Sequence, residues 1–140
     1  MRKMTETEIN ELVKNSNWAT ICTVTPDGLP YAIEATYFID GKYIGFMINP
    51  RGRTMQNLKH NPNLILKITQ ASGDLSKWAG VSLFGTGQNI TDSDAIRKGW
   101  ELLGEVMNTD YTTVTEKCNN TEQRSPYLKC TISQITGRSS

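Results

Sequence analysis

Two arginines, a glycine and a threonine stand in a row at Arg51-Gly52-Arg53-Thr54. Guanidinium groups donate charge-assisted hydrogen bonds, glycine lets an oxyanion approach the backbone, and the hydroxyl adds another donor. The run lies between a strand breaker, Asn49-Pro50, and a short stretch with Met55 and Leu58 as apolar contacts. It therefore opens a helix whose free N–H groups favour an anion, and the chemistry that follows is phosphate binding. The same four residues also fit an ordinary solvated turn, and local composition does not separate the two readings. No Gly-Lys-Ser/Thr follows a glycine-rich run, and no GxGxxG opens a helix after a strand, so a nucleoside triphosphate is disfavoured.

Other reactive side chains are sparse. The single histidine, His60, excludes a two-histidine metal site, and beside Asn61-Pro62 it is expected to end the short helix, where a basic ring suits the dipole. Cys22, Cys118 and Cys130 are odd in number and widely spaced, which suits neither a disulfide framework nor a CxxC zinc site. Cys22 and Cys130 fall in strand-like runs and are expected as small buried hydrophobes. Glu34 is a carboxylate inside the apolar and aromatic run Tyr31–Tyr37, so it must face water, a partner or a ligand; a ligand-side role and a structural salt bridge both fit. No triad, paired-carboxylate signature or metal cluster is visible, and no catalytic residue is assigned.

The elements that position these groups are legible from pattern. Thr5 with Glu8 forms a capping box before Ile9, Leu12 and Val13, giving a helix to about Ser16. Strands are expected over Trp18–Thr25, up to the Pro26-Asp27-Gly28 turn, and over Pro30–Ile39. Asp40-Gly41 marks a two-residue hairpin into a third strand, Lys42–Ile48. The short helix follows the arginine turn, then a strand over Leu64–Thr69, a loop over Gln70–Ala79, and a strand over Val81–Ile90 whose Gly85 and Gly87 suggest a bend or bulge. Thr91 and Asp94 repeat the capping pattern before an amphipathic helix with Ile96, Trp100, Leu103 and Met107 on its core face. Trp18 is expected to pack, Asn108–Ser125 to be a polar mobile loop, and Tyr127–Ile135 to be the last strand.

Hairpin turns without regular βα alternation argue for a mainly β protein: a six-stranded antiparallel split β-barrel with helices at its ends and side. At 140 residues it is expected to be one domain, 1–140. Fifteen basic against 14 acidic residues leave no broad field that marks nucleic acid or membrane as a partner. No apolar run approaches bilayer length and the start lacks a signal-peptide core, so a cytoplasmic location is expected.

The order and spacing of several pieces resemble the pyridoxamine 5'-phosphate oxidase-like superfamily of flavin-binding split barrels, including its nitroimidazole-resistance-type members. These pieces are Trp18–Val24 with Asp27-Gly28 and Pro30-Tyr31, Gly52-Arg53-Thr54 before Asn57-Leu58 and Asn61-Pro62, Ser82-Leu83-Phe84-Gly85-Thr86-Gly87, and the closing Ile135-Thr136-Gly137. The resemblance implies FMN as cofactor, with its ring against Ile33, Glu34, Ala35 and Thr36 and against Met47, Ile48 and Asn49. It implies Arg53 and Thr54 as phosphate ligands, Arg51 as a helper, and a homodimer in which Trp78 and its neighbours complete the partner's site.

Two departures matter. Many relatives carry two consecutive basic residues where this chain has Arg53-Thr54, and the histidine found in nitroimidazole-resistance-type relatives near the end of the third strand is absent from Phe46-Met47-Ile48. The short end after Gly137-Arg138 argues against oxidation of vitamin B6. The implied activity is a flavin-dependent oxidoreductase moving hydride or electrons between a nicotinamide donor and a small acceptor. The alternatives are a non-catalytic FMN-binding or storage module, or a split barrel that takes a deazaflavin or haem.

Overall fold

The computed structural model describes residues 1–111 and 124–140. Along the chain run β1 (Arg2–Lys3), α1 (Glu6–Asn15), β2 (Trp18–Val24), β3 (Pro30–Asp40), β4 (Tyr43–Met47), α2 (Arg53–His60), β5 (Asn63–Ala71), β6 (Trp78–Asn89), α3 (Ser93–Met107) and β7 (Tyr127–Ser139). All strand pairs are antiparallel in the order β1-β7-β4-β3-β2-β5-β6, and β6 pairs again with β7. That last pairing closes six strands into the expected split barrel, with β1 as an extra strand on β7.

Alternation along the strands fills the barrel. Ala19 and Ile21 of β2 point inward with Phe46, Leu66, Val81, Leu83 and Leu128. Helix α1 covers the barrel with Leu12, Ile9 and Val13, its start fixed by the Thr5–Glu8 capping box, and the Tyr37 hydroxyl donates to the Val13 carbonyl at 2.6 Å. Burial pushes that phenol up to about 12. Helix α3 lies outside the barrel over β3 and β4, where Ile96 and Leu103 join Phe38 and Tyr127 in a second cluster.

The hairpin between β3 and β4 turns one residue later than the sequence pattern placed it. Asp40 is the last residue of β3 and pairs with Tyr43, and Gly41, at φ +61°, begins the turn. Asp40 is held there by the Tyr127 hydroxyl, which donates to it at 2.7 Å, and by Lys98 at 3.1 Å. Burial alone would raise the Asp40 carboxyl; the hydrogen bonds from Tyr127 and Lys98 and the charges of Lys98 and Lys129 outweigh it and hold the group below its ordinary value.

Other expectations need correction. Strands β5 and β6 continue through Gln70, Ala71, Trp78 and Ala79, shortening the loop, because their ladder runs unbroken to Ala71↔Trp78. Strand β7 extends to Ser139 by pairing with both β6 and β1. Helix α3 is capped by Asp92, which accepts from the Ala95 N–H, and the Thr91–Asp94 pattern does not form the cap. Met107 is exposed in its last turn, and Trp18, 58% exposed, lies on the outer barrel face. Cys130 is buried as expected, but Cys22 is only partly covered, since its parity on β2 turns it outward. Cys118 and residues 112–123 of the expected mobile loop lie outside the described residues.

The bulge expected near the paired glycines falls between Phe84 and Gly85. A Cβ on Gly85 would stand 2.0 Å from the Thr131 carbonyl oxygen, a backbone atom that cannot rotate away. Gly85→Ala is therefore expected to lower the unfolding free energy by about 2–3 kcal/mol, read by urea denaturation. Asp40 carries a lowered folded-state pKa, so its contribution is present above the unfolded value and lost as pH falls through the folded one. Asp40→Asn is accordingly expected to destabilise the protein at neutral pH, with the gap from the parent closing in acid.

Candidate functional site

The site begins where β4 leaves the barrel. Asn49 accepts from the Arg51 N–H through its side chain at 3.0 Å and from the Gly52 N–H through its backbone at 3.0 Å, so the chain reverses directly into α2. Gly52 is the N-cap and supplies no side-chain acceptor, and the first turn of α2 has no acidic residue. The positive end of the helix is thus open, beside the guanidinium groups of Arg51 and Arg53.

Thr54 and Met55 turn inward, as do Asn57 and Leu58, while Arg53, Gln56, Lys59 and His60 stay exposed. Thr54 is only 3% exposed, and its hydroxyl has no hydrogen-bond partner among the described residues. A buried hydroxyl left without a partner costs about 1–3 kcal/mol, and an oxyanion at the helix start would relieve that cost. Arg53 is held over the Tyr31 ring, 5.5 Å from its centroid, which draws its charge toward the start of β3. Asn57, 1% exposed, donates from its amide to the Thr23 hydroxyl at 3.1 Å and so fastens α2 to β2.

Beside this turn, β3 has an open edge. Its ladder with β2 runs from Trp18↔Thr36 to Val24↔Pro30, whereas its ladder with β4 stops at Tyr37↔Phe46. The Ile48 N–H goes instead to the Pro126 carbonyl at 2.9 Å, so among the described residues no strand continues the second ladder beyond Tyr37. The backbone donors and acceptors of alternate residues over 30–36, those that point away from β2, are left for a planar ligand next to the helix start.

The site residues expected from sequence fall into groups. Ile33, Ala35 and Ile48 pack against the barrel core, and Glu34 and Thr36 alternate with them onto the outer face. Asn49, Arg51, Arg53 and Thr54 gather at the helix start. Met47 turns the other way, toward α3, where a side chain on Gly99 would meet its sulfur. Trp78 begins β6, far along that strand from Gly87, which packs beside Leu58 of α2. One chain therefore does not bring Trp78 to the arginine turn. Glu34 is exposed and forms no ion pair among the described residues. His60 ends α2 as expected.

Two site residues were missed from sequence. Tyr31 gives no signal before Arg53 is known to lie over it. Asn57 does give one, as an amide among Thr54, Met55 and Leu58 on the buried face of a two-turn helix.

A family model described as pyridoxamine 5'-phosphate oxidase matches residues 5–136. No curated protein matches the sequence. Among solved structures, a candidate 5-nitroimidazole antibiotic resistance protein of Bacteroides thetaiotaomicron superposes with a TM-score of 0.80 at 13% identity, covering 99% of this chain and 86% of its own. A FAD-binding protein of Mesorhizobium loti gives 0.74 at 15% identity, covering 99% and 97%. A haem storage protein of Vibrio cholerae gives 0.68 at 15% identity, covering 93% and 92%. At these identities the likeness extends to the fold, and the fold hosts more than one planar cofactor.

Asn57→Ala removes the side-chain hydrogen bond that joins α2 to β2. It is expected to cost about 1–3 kcal/mol of stability in chemical denaturation, and Thr23→Val to cost a similar amount by leaving the amide unpaired. A loss within error for both would mean that the bond does not hold the helix.

Proposed function

The chain belongs to the pyridoxamine 5'-phosphate oxidase family, and on that premise we propose that it binds FMN along the open edge of β3, with the phosphate at the start of α2. The observation that carries this reading is the buried, unpartnered Thr54 hydroxyl at an uncapped helix N-terminus flanked by Arg51 and Arg53. Arg53 and Thr54 hold the phosphate, Arg51 adds charge, and the free backbone groups of Ile33–Thr36 orient the ring. Ile33, Ala35 and Ile48 form an apolar support beneath it, and Asn49 keeps the turn in shape.

FMN, when bound, supplies hydride and electron transfer, and the protein supplies position and electrostatics. The proposed activity is an oxidoreductase reaction between a nicotinamide donor and a small acceptor. The proposed assembly is a homodimer: Trp78 lies at the remote end of β6, so a role for that indole in the site, as the family resemblance implies, requires a second copy. An imidazole-ligated haem has less support, because the sole histidine ends α2 at the opposite end from Arg53.

The purified protein is expected to be yellow and to release FMN on denaturation, and its bound flavin to be reduced by NADH or NADPH. Arg53→Ala is expected to weaken FMN binding by about 1.5–3 kcal/mol, the scale of a charge-assisted hydrogen bond, while leaving the barrel folded. Unchanged affinity in that variant would overturn the phosphate assignment. A flavin that no nicotinamide reduces and no acceptor reoxidises would leave a binding protein and remove the enzyme.

A further inference from the structure

Arg53 and Asn57 stand one turn apart on the same face of α2, and the residues they meet, Tyr31 and Thr23, stand directly opposite each other in the β2–β3 ladder. A helical turn advances about 5.4 Å and facing residues of antiparallel strands lie about 5 Å apart, so the two contacts form side by side. They do different work. The Asn57 amide and the Thr23 hydroxyl are buried, and together with Met55 and Leu58 in the core they dock the helix. Arg53 is exposed and Tyr31 only partly covered, so their contact, besides tying α2 to β3, fixes the direction of a long side chain.

The ring holds Arg53 without spending its donors. The guanidinium lies over Tyr31, 5.5 Å from the centroid, and among the described residues no carboxylate or carbonyl takes any of its N–H groups. The Tyr31 hydroxyl likewise makes no hydrogen bond among them, so it is the face of the ring that matters. Arg51 differs. Its backbone N–H goes to Asn49 and its carbonyl accepts from Gln56, while no contact among the described residues fixes its side chain. An unrestrained arginine loses rotamer freedom when it closes on an anion, and a pre-set one loses less. Arg53 is thus the arginine poised at the helix start, beside the open amides of the first turn and the buried Thr54 hydroxyl.

We propose that Tyr31 is a positioning residue for Arg53, and that the pair makes the site select a phosphorylated flavin over the same flavin without its phosphate. The inference rests on the flavin reading and adds to it a residue that acts on the phosphate through the arginine. Riboflavin, with a hydroxyl in place of the phosphate, gives the pre-set guanidinium no charge to meet.

The test is fluorescence titration of FMN and of riboflavin with the full-length chain. Tyr31→Leu is expected to weaken FMN binding about three- to fivefold, the scale of an exposed cation–π contact, and to leave riboflavin binding unchanged. Tyr31→Phe keeps the ring and is expected to bind FMN as the parent does. In an Arg53→Ala background, Tyr31→Leu is expected to have no further effect. Tyr31→Met removes the ring in the same way should the leucine variant fail to fold. Equal weakening of FMN and riboflavin would overturn the proposal, as would a loss in Tyr31→Phe. So would tighter FMN binding in Tyr31→Leu, the mark of a ring that holds Arg53 away from the phosphate. Unchanged FMN affinity in Tyr31→Leu, with weaker binding in Arg53→Ala, overturns this inference alone. No FMN binding by the parent, or unchanged affinity in Arg53→Ala, removes the phosphate reading beneath it.

Discussion

The site depends on one mismatch in strand length: β3 stays paired with β2 back to Pro30, while β4 stops pairing with β3 at Tyr37↔Phe46. Beyond that point the Ile48 N–H is drawn to Pro126, and Asn49 and Pro50 turn the chain into α2. The same event therefore exposes a length of strand edge and sets a helix N-terminus beside it. Neither feature suffices alone. An unpaired edge invites mispairing, and an isolated helix start binds anions weakly. Together they offer hydrogen bonds for a flat ligand and an electropositive end for an anionic group.

Much of the remaining structure keeps these two features in register. Closure of β6 onto β7 fixes the curvature of the barrel, and the close backbone approach at Gly85 is part of that closure. The Asn57–Thr23 hydrogen bond and the Arg53–Tyr31 contact tie α2 to β2 and β3. On the other side, Asp40, Tyr127 and Lys98 link the β3–β4 hairpin, β7 and α3, so the strand that leaves early is anchored where it begins. The buried Thr54 hydroxyl runs against this economy of paired groups, as do the Asn89 side-chain oxygen and the Ser139 hydroxyl.

The parts legible in sequence were those with short-range causes. Asp40-Gly41 announced a hairpin, Thr5 and Glu8 a helix start, and Gly85 with Gly87 a bulge, because turn, cap and bulge chemistry are local. The arginine turn was legible as a helix start with exposed basic side chains for the same reason. What escaped was set by pairing partners distant in the chain. The continuation of β7 to Ser139 requires β1 and the start of β6, the outward turn of Cys22 follows from register, and the exposure of Trp18 follows from its place on the outer face. Asp92 displaced the Thr91 cap by one residue, a choice that a local pattern leaves open. The early end of the β3–β4 ladder belongs to the same class, since it requires the positions of Pro126 and α2.

The most direct measurement of the central claim is amide hydrogen exchange along β3, with and without FMN. If the unpaired edge is the flavin site, amides between Tyr31 and Thr36 that exchange readily in the free protein gain protection on FMN binding, along with those of Arg53 and Thr54. Protection that appears elsewhere while residues 31–36 exchange as before would contradict the account.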